Sequence, residues 1–142
     1  MSLPISHLMR SKVTYCEENT TLRKVSEKIL EEKIGSIIVN HGEESVGIIT
    51  TNDLLKAALK GLDFDAAKAS EIMSQPLEVF DAEKSLDDAL KKFEETGHIR
   101  LVILKGGKVV GVLKKTIAER FKGVSGAFKF SEKTRSLPFR RG

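Results

Sequence analysis

Tryptophan is absent from this 142-residue chain, aromatic residues make up only 6% of it, and there are one cysteine and three prolines. A single cysteine, Cys16, excludes an intramolecular disulfide framework, which leaves a reducing, cytoplasmic setting as the expectation. Eleven glycines and three prolines are too few for a fibrous chain, and 40% hydrophobic residues are too many for a disordered one. No stretch approaches the roughly 20 apolar residues of a bilayer span. Residues 1–10 lack the basic, then long apolar, pattern of a secretion signal, so the expectation is a soluble protein that keeps its own N-terminus and makes no membrane contact.

Charge of one sign is also missing from most of the chain. The net charge is +4, from 24 basic and 20 acidic residues. Five of the basic residues (Lys129, Lys133, Arg135, Arg140, Arg141) and one acid (Glu132) lie between Val124 and Gly142, which leaves 19 of each sign in the body. The pI of 9.2 therefore belongs to the tail. Nothing in the body's balance points to a polyanion as its partner.

What the sequence does contain is an internal repeat. Ser6 and Met9 recur as Ser70 and Met73, Leu22 as Leu86, Lys28 as Lys92, Glu31 as Glu95, Gly42 as Gly106 and Val46-Gly47 as Val110-Gly111, all at a separation of 64 positions. Each copy reads as strand, helix, strand, strand, helix. In the first copy these are Val13–Cys16, a helix capped by Thr20 or Thr21 and stopped by Gly35, a hairpin of residues 36–39 and 45–49, and a helix from Thr51 to Lys60 stopped by Gly61. In the second they are Leu77–Phe80, a helix from the Ser85 cap with Asp88 three residues on and Gly97 as its stop, a hairpin of residues 100–113 turning at Gly106-Gly107, and a helix from about Lys114 to Phe121. A unit of about 55 residues is a marginal core alone. The expectation is an α/β fold of two pseudo-twofold-related β-α-β-β-α repeats packed sheet to sheet, with a ligand in the cleft between them.

The lead-ins Ile5-Ser-His-Leu-Met9 and Ala69-Ser-Glu-Ile-Met73, and the hairpin ends Val46-Gly-Ile-Ile-Thr-Thr-Asn-Asp-Leu-Leu55 and Val110-Gly-Val-Leu-Lys-Lys-Thr-Ile-Ala118, resemble a tandem pair of CBS domains. These are the regulatory modules named after cystathionine β-synthase. On that resemblance the organisation is repeat 1 at residues 5–61, a linker at 62–69, repeat 2 at 70–122 and a basic, aromatic tail at 123–142. The resemblance implies a non-catalytic module that dimerises, binds an adenosine compound (AMP, ADP, ATP or S-adenosylmethionine) between the repeats and reports ligand state to an unidentified protein partner.

Thr50-Thr-Asn-Asp53 is the sharpest local feature. It puts a hydroxyl and a carboxylate at a strand-to-helix junction, where a carboxylate suits the cis-diol of a ribose and helix N–H groups suit a phosphate. It matches the family's ribose-binding pattern. The other reading is that Asp53 only complements the helix dipole. The second copy has Lys114 and Ile117 at the equivalent places, so one competent site is expected, with Lys114 either meeting phosphates or simply solvated. By resemblance, the adenine lies against Lys12-Val13-Thr14 and Gly35-Ser36-Ile37, and Arg100 reaches the phosphates. For Arg100 an ion pair with an acid such as Glu95 is the alternative.

No catalytic constellation, phosphate-binding glycine loop or metal-ligand spacing stands out, so neither an enzyme activity, a catalytic cofactor nor a metal is expected. Cys16 reads as a small core residue. The tail interleaves Phe128, Phe130 and Phe139 with its basic residues, which suits either an extended arm packing on the body or a second subunit, or a contact with single-stranded nucleic acid.

Overall fold

The computed structural model describes residues 3–123. They form two compact units, Val13–Leu77 and the first twelve residues together with the chain from Glu78 onward. Each unit holds a three-stranded sheet with helices packed on it.

In the Val13–Leu77 unit, strand β1 (Tyr15–Glu17) pairs in parallel with β2 (Ser36–His41) across helix α1 (Leu22–Glu32). Strand β3 (Glu44–Thr50) returns antiparallel to β2 and leads into α2 (Thr51–Leu59). The sheet order is β1-β2-β3. Leu22, Val25 and Ile29 recur at helical spacing and bury against Ile37, Val39 and Ile49 of the sheet and Leu54 and Ala57 of α2. Leu30, apolar and next to Ile29, is 76% exposed, because a helix buries only one stripe and Val25 and Ile29 already occupy it.

Thr21 caps α1 by accepting from the Lys24 amide. The helix ends earlier than Gly35 suggested. Lys33 takes the left-handed conformation at φ 55° and its N–H bonds back to the Ile29 and Leu30 carbonyls. The first strand also lies two residues later than the β-branched run implied, although the Thr14 carbonyl already accepts from the Ile38 amide at 2.9 Å. Residues 62–69, read as linker, supply Ala67 and Ala69 to the core with Leu62 and Phe64 packed on it, and Ala69 begins the short helix α3 (Ala69–Ile72). Arg23 of α1 grips Asp65 with its guanidinium, which holds that carboxyl below the usual carboxylate range.

The second unit repeats the plan with β4 (Val79–Asp81), α4 (Leu86–Thr96), β5 (Arg100–Lys105), β6 (Lys108–Lys114) and α5 (Lys115–Arg120), in sheet order β4-β5-β6. The Ser85–Asp88 capping box and the left-handed Gly97 stop form where expected. Ile5 joins this unit's core beside Phe80, Leu86, Phe93, Leu101 and Leu113.

The repeated glycine and methionine positions explain each other. Ser74 exchanges two backbone hydrogen bonds with Ile48 on the outer edge of β3 (3.1 and 2.9 Å), and Arg10 exchanges two with Val112 on β6 (2.8 and 3.0 Å). Just before each bridge a methionine lies across a glycine. A Cβ on Gly47 would stand 2.6 Å from Met73 Sδ and 3.0 Å from the Ser74 carbonyl, and one on Gly111 2.6 Å from Met9 Sδ and 2.9 Å from the Arg10 carbonyl. The glycines are there to admit the lead-in segments, and Met9 docks on the sheet of the second copy.

Two measurements check this description. Gly47→Ala and Gly111→Ala each push a methionine and a backbone carbonyl off a strand edge, so each lowers stability by about 1–3 kcal/mol in urea unfolding. His41 Nδ1 lies 2.6 Å from Glu18 Oε1, and this hydrogen bond, with the carboxylate's charge, raises the His41 pKa above 6.5. Stabilisation by the pair is complete below the unfolded value and is lost as pH rises through the folded one. An NMR titration places the His41 midpoint above 6.5, and Glu18→Gln lowers it.

Candidate functional site

The Val13–Leu77 unit gathers Val13, Thr14, Gly35, Ser36, Ile37, Thr50 and Asp53 around the start of β2 and the end of β3. Ser36 and Thr50 are register partners across the hairpin. The Thr51 amide donates to the Gly35 carbonyl at 3.1 Å, which ties the entry of β2 to the first turn of α2. Thr14 stands beside Ile38 on the other side of β2.

Thr50 and Asp53 form a reciprocal capping box. Thr50 Oγ1 accepts from the Asp53 amide at 3.2 Å, and Asp53 Oδ2 accepts from the Thr50 amide at 2.8 Å. The acid therefore does more than complement the dipole, because it satisfies a specific backbone donor. The box also fixes the carboxylate's direction at the junction. An ionised carboxylate offers about four acceptor positions, so one capping bond leaves capacity for a diol. Thr50 is buried and Asp53 half-buried, which places the carboxylate at the rim of the fold.

The remaining positions of this group divide between backbone and side chain. Ile37 is fully buried in the helix-side core, so any contact it makes with a ligand is through its backbone. The Thr14 hydroxyl donates to Glu32 Oε1 at 2.6 Å, which brings into the neighbourhood an α1 carboxylate that the repeat pattern did not single out. Its neighbour Glu31 carries the repeated identity, so a search by repeat passes over Glu32.

Lys12, Arg100 and Lys114 belong to the other compact unit. There Arg100 and Lys114 face each other across β5 and β6, at the places Ser36 and Thr50 hold in the first copy. Lys114 gives α5 no side-chain cap, in contrast to Thr50 and Ser85. His98 Nδ1 lies 3.4 Å from Glu78 Oε1, and Lys92 Nζ lies 3.1 Å from that acid's other oxygen. Among the described residues, no group of three or more His, Cys, Asp or Glu is placed to hold a metal, and no helix is long and apolar enough to cross a membrane. The tail from Val124, with the arm and nucleic-acid readings attached to it, lies outside the described residues.

The CBS-domain family model matches residues 5–60 and 69–116. The chain is a CBS-domain protein. Proteins built on such a pair are generally regulatory. An uncharacterized protein of Methanopyrus kandleri is 32% identical over 115 residues, covering 79% of this chain and 59% of that protein. The chain spans about half the length of the first curated relatives it matches, 59% of this one and 45% of another from Methanocaldococcus jannaschii. Among solved structures, a hexameric CBS-CP12 protein from bloom-forming cyanobacteria shares the fold at a TM-score of 0.77 and 21% identity, covering 95% of this chain and 78% of that one. CBSX2 in complex with AMP does so at a TM-score of 0.63 and 21% identity, covering 84% and 95%.

The capping box makes a stability prediction that is independent of any ligand. Thr50→Ala removes the acceptor of the Asp53 amide and costs about 1 kcal/mol, whereas Asp53→Asn keeps an oxygen for the Thr50 amide and stays within about 0.5 kcal/mol of the parent, both read from urea unfolding.

Proposed function

We propose that this chain is a non-catalytic regulatory module that binds an adenine nucleotide or related adenosine compound at one site, held by the first copy, and passes ligand state to a protein partner as a homodimer. The observation that carries this reading is the Thr50–Asp53 junction. A fixed carboxylate at a helix N-terminus stands in one copy, and the other copy has Lys114 and Ile117 in its place.

In this reading the chemistry divides among the gathered residues. Asp53 accepts from the ribose hydroxyls, and the opening N–H groups of α2 face a phosphate. The backbone at Val13-Thr14 and Gly35-Ser36-Ile37 reads the edge of the base. Lys12, Arg100 and Lys114 supply positive charge for the phosphates, a role that rests on the family resemblance. The AMP-bound CBSX2 structure supports the ligand class, and the hexameric CBS-CP12 protein supports self-association. Regulation follows as a population shift, because a ligand biases a conformational equilibrium by as much as its affinity differs between the states.

Isothermal titration with AMP, ATP and S-adenosylmethionine tests this. The expected result is saturable binding near one equivalent per chain, abolished in Asp53→Ala and weakened at least about tenfold in Asp53→Asn, which keeps the cap but loses the charge. Absence of binding by all three compounds overturns the sensor reading and leaves a scaffold. Removing residues 124–142 tests whether the tail carries any nucleic-acid binding.

A further inference from the structure

The two copies differ at a second place, across β2 from the strand that ends at the Thr50–Asp53 junction. Between the edge strand β1 and helix α1 the structure has a cavity of about 380 Å³, lined by Tyr15, Cys16, Glu17, Thr20, Lys24, Val25 and Lys28. That volume lies within the range of small-molecule sites, about 300–1,000 Å³.

The second copy shows what fills the space. At the separation of 64, Cys16 corresponds to Phe80, Thr20 to Lys84, Lys24 to Asp88 and Val25 to Ala89. Phe80 is buried in its unit's core, and Lys84 Nζ sits 5.7 Å from the ring centroid, closing over it. The first copy has a thiol where that ring would be and a threonine where that lysine would be. The scaffold is thus an aromatic pocket whose aromatic ring is missing.

Its rim sets the charge of an occupant. Lys24 and Lys28 stand one helical turn apart on α1, and Lys28 Nζ already donates to the Tyr15 carbonyl at 2.9 Å, which holds it at the mouth. Glu17 is turned to the neighbouring hairpin, where its Oε1 accepts from the Gly42 amide at 3.3 Å. Burial is the main cause that pushes the Cys16 thiol up to about 11, against the charge of Lys28 and a hydrogen bond with Thr20. At neutral pH the wall is therefore an un-ionised sulfur, suited to packing and not to nucleophilic attack. The chain's own basic tail, with three phenylalanines, is disfavoured here by the two lysines.

We infer that this cavity is a second binding site, separate from the Thr50–Asp53 junction, for a small aromatic carboxylate whose ring takes the place that Phe80 fills in the other copy and whose anion meets Lys24 and Lys28. The inference is independent of the adenosine reading, since the two sets of residues do not overlap.

The test uses phenylacetate and 3-phenylpropionate as probes and phenylacetamide as the uncharged control, followed by NMR on the full chain. The expected result is saturable shifts confined to Tyr15–Lys28, about tenfold weaker or more with the amide. Cys16→Phe, which installs the ring of the second copy, abolishes them. Lys24→Glu, a surface change that leaves the core intact, abolishes carboxylate binding even if the cysteine variant folds poorly. Asp53→Ala leaves these shifts unchanged, so failure here and failure at the adenosine site are distinguishable. No saturable shift with either carboxylate, or shifts that persist in Lys24→Glu, overturns the inference.

Discussion

The rest of the structure depends on how two short segments are laid against two strand edges. A three-stranded sheet ends in a strand with unpaired backbone groups, and β3 and β6 are long enough for such an edge to matter. The Ser74 and Arg10 bridges satisfy part of each edge, and Gly47 and Gly111 make the approach close enough for those bonds to form. The same strand β3 ends at Thr50. Holding its outer edge therefore also holds the point from which α2 starts and the carboxylate of Asp53 is aimed.

On this common scaffold the two copies differ at most positions, and two of the differences change the local chemistry. Where the first has Thr50 and Asp53, a reciprocal cap and a negative charge, the second has Lys114 and Ile117 and an uncapped helix. Where the first has Cys16 and an opening, the second has Phe80 under Lys84. In both cases the backbone hydrogen bonding of the two sheets matches register for register, from Ser36↔Thr50 beside Arg100↔Lys114 to Tyr15↔Ile38 beside Val79↔Val102. Duplication supplied the framework twice, and side-chain replacement separated the roles.

The repeat made most of this legible in the sequence. The β-branched run at 36–39, the Thr21 and Ser85 caps and the glycine stop at Gly97 are local signals, and they appear where local chemistry puts them. What escaped was set by packing or backbone geometry that residue type does not announce. Ala67 looks like part of a linker until the elements it packs against are in place. Lys33 ends α1 in a left-handed turn that no glycine announces. At the site, the residue types at 50 and 53 carried the information, while the Thr14–Glu32 bond and the cavity beside Cys16 depend on how α1 lies over β1. The substitution of Phe80 by Cys16 was present in the alignment of the copies, but only packing turns a smaller side chain into a space.

Met9 and Arg10 open the first copy in the chain yet complete the sheet of the second, more than a hundred residues later. A ribosome releases the chain from its N-terminus, so the Val13–Leu77 unit has all its parts as soon as Leu77 emerges. The opening segment must remain available while the whole of that unit is made and β6 follows. Closing so long a loop is entropically slow compared with forming either hairpin. The order of assembly is thereby written into the connectivity, with the Val13–Leu77 unit first and the unit that takes up Met9 and Arg10 last.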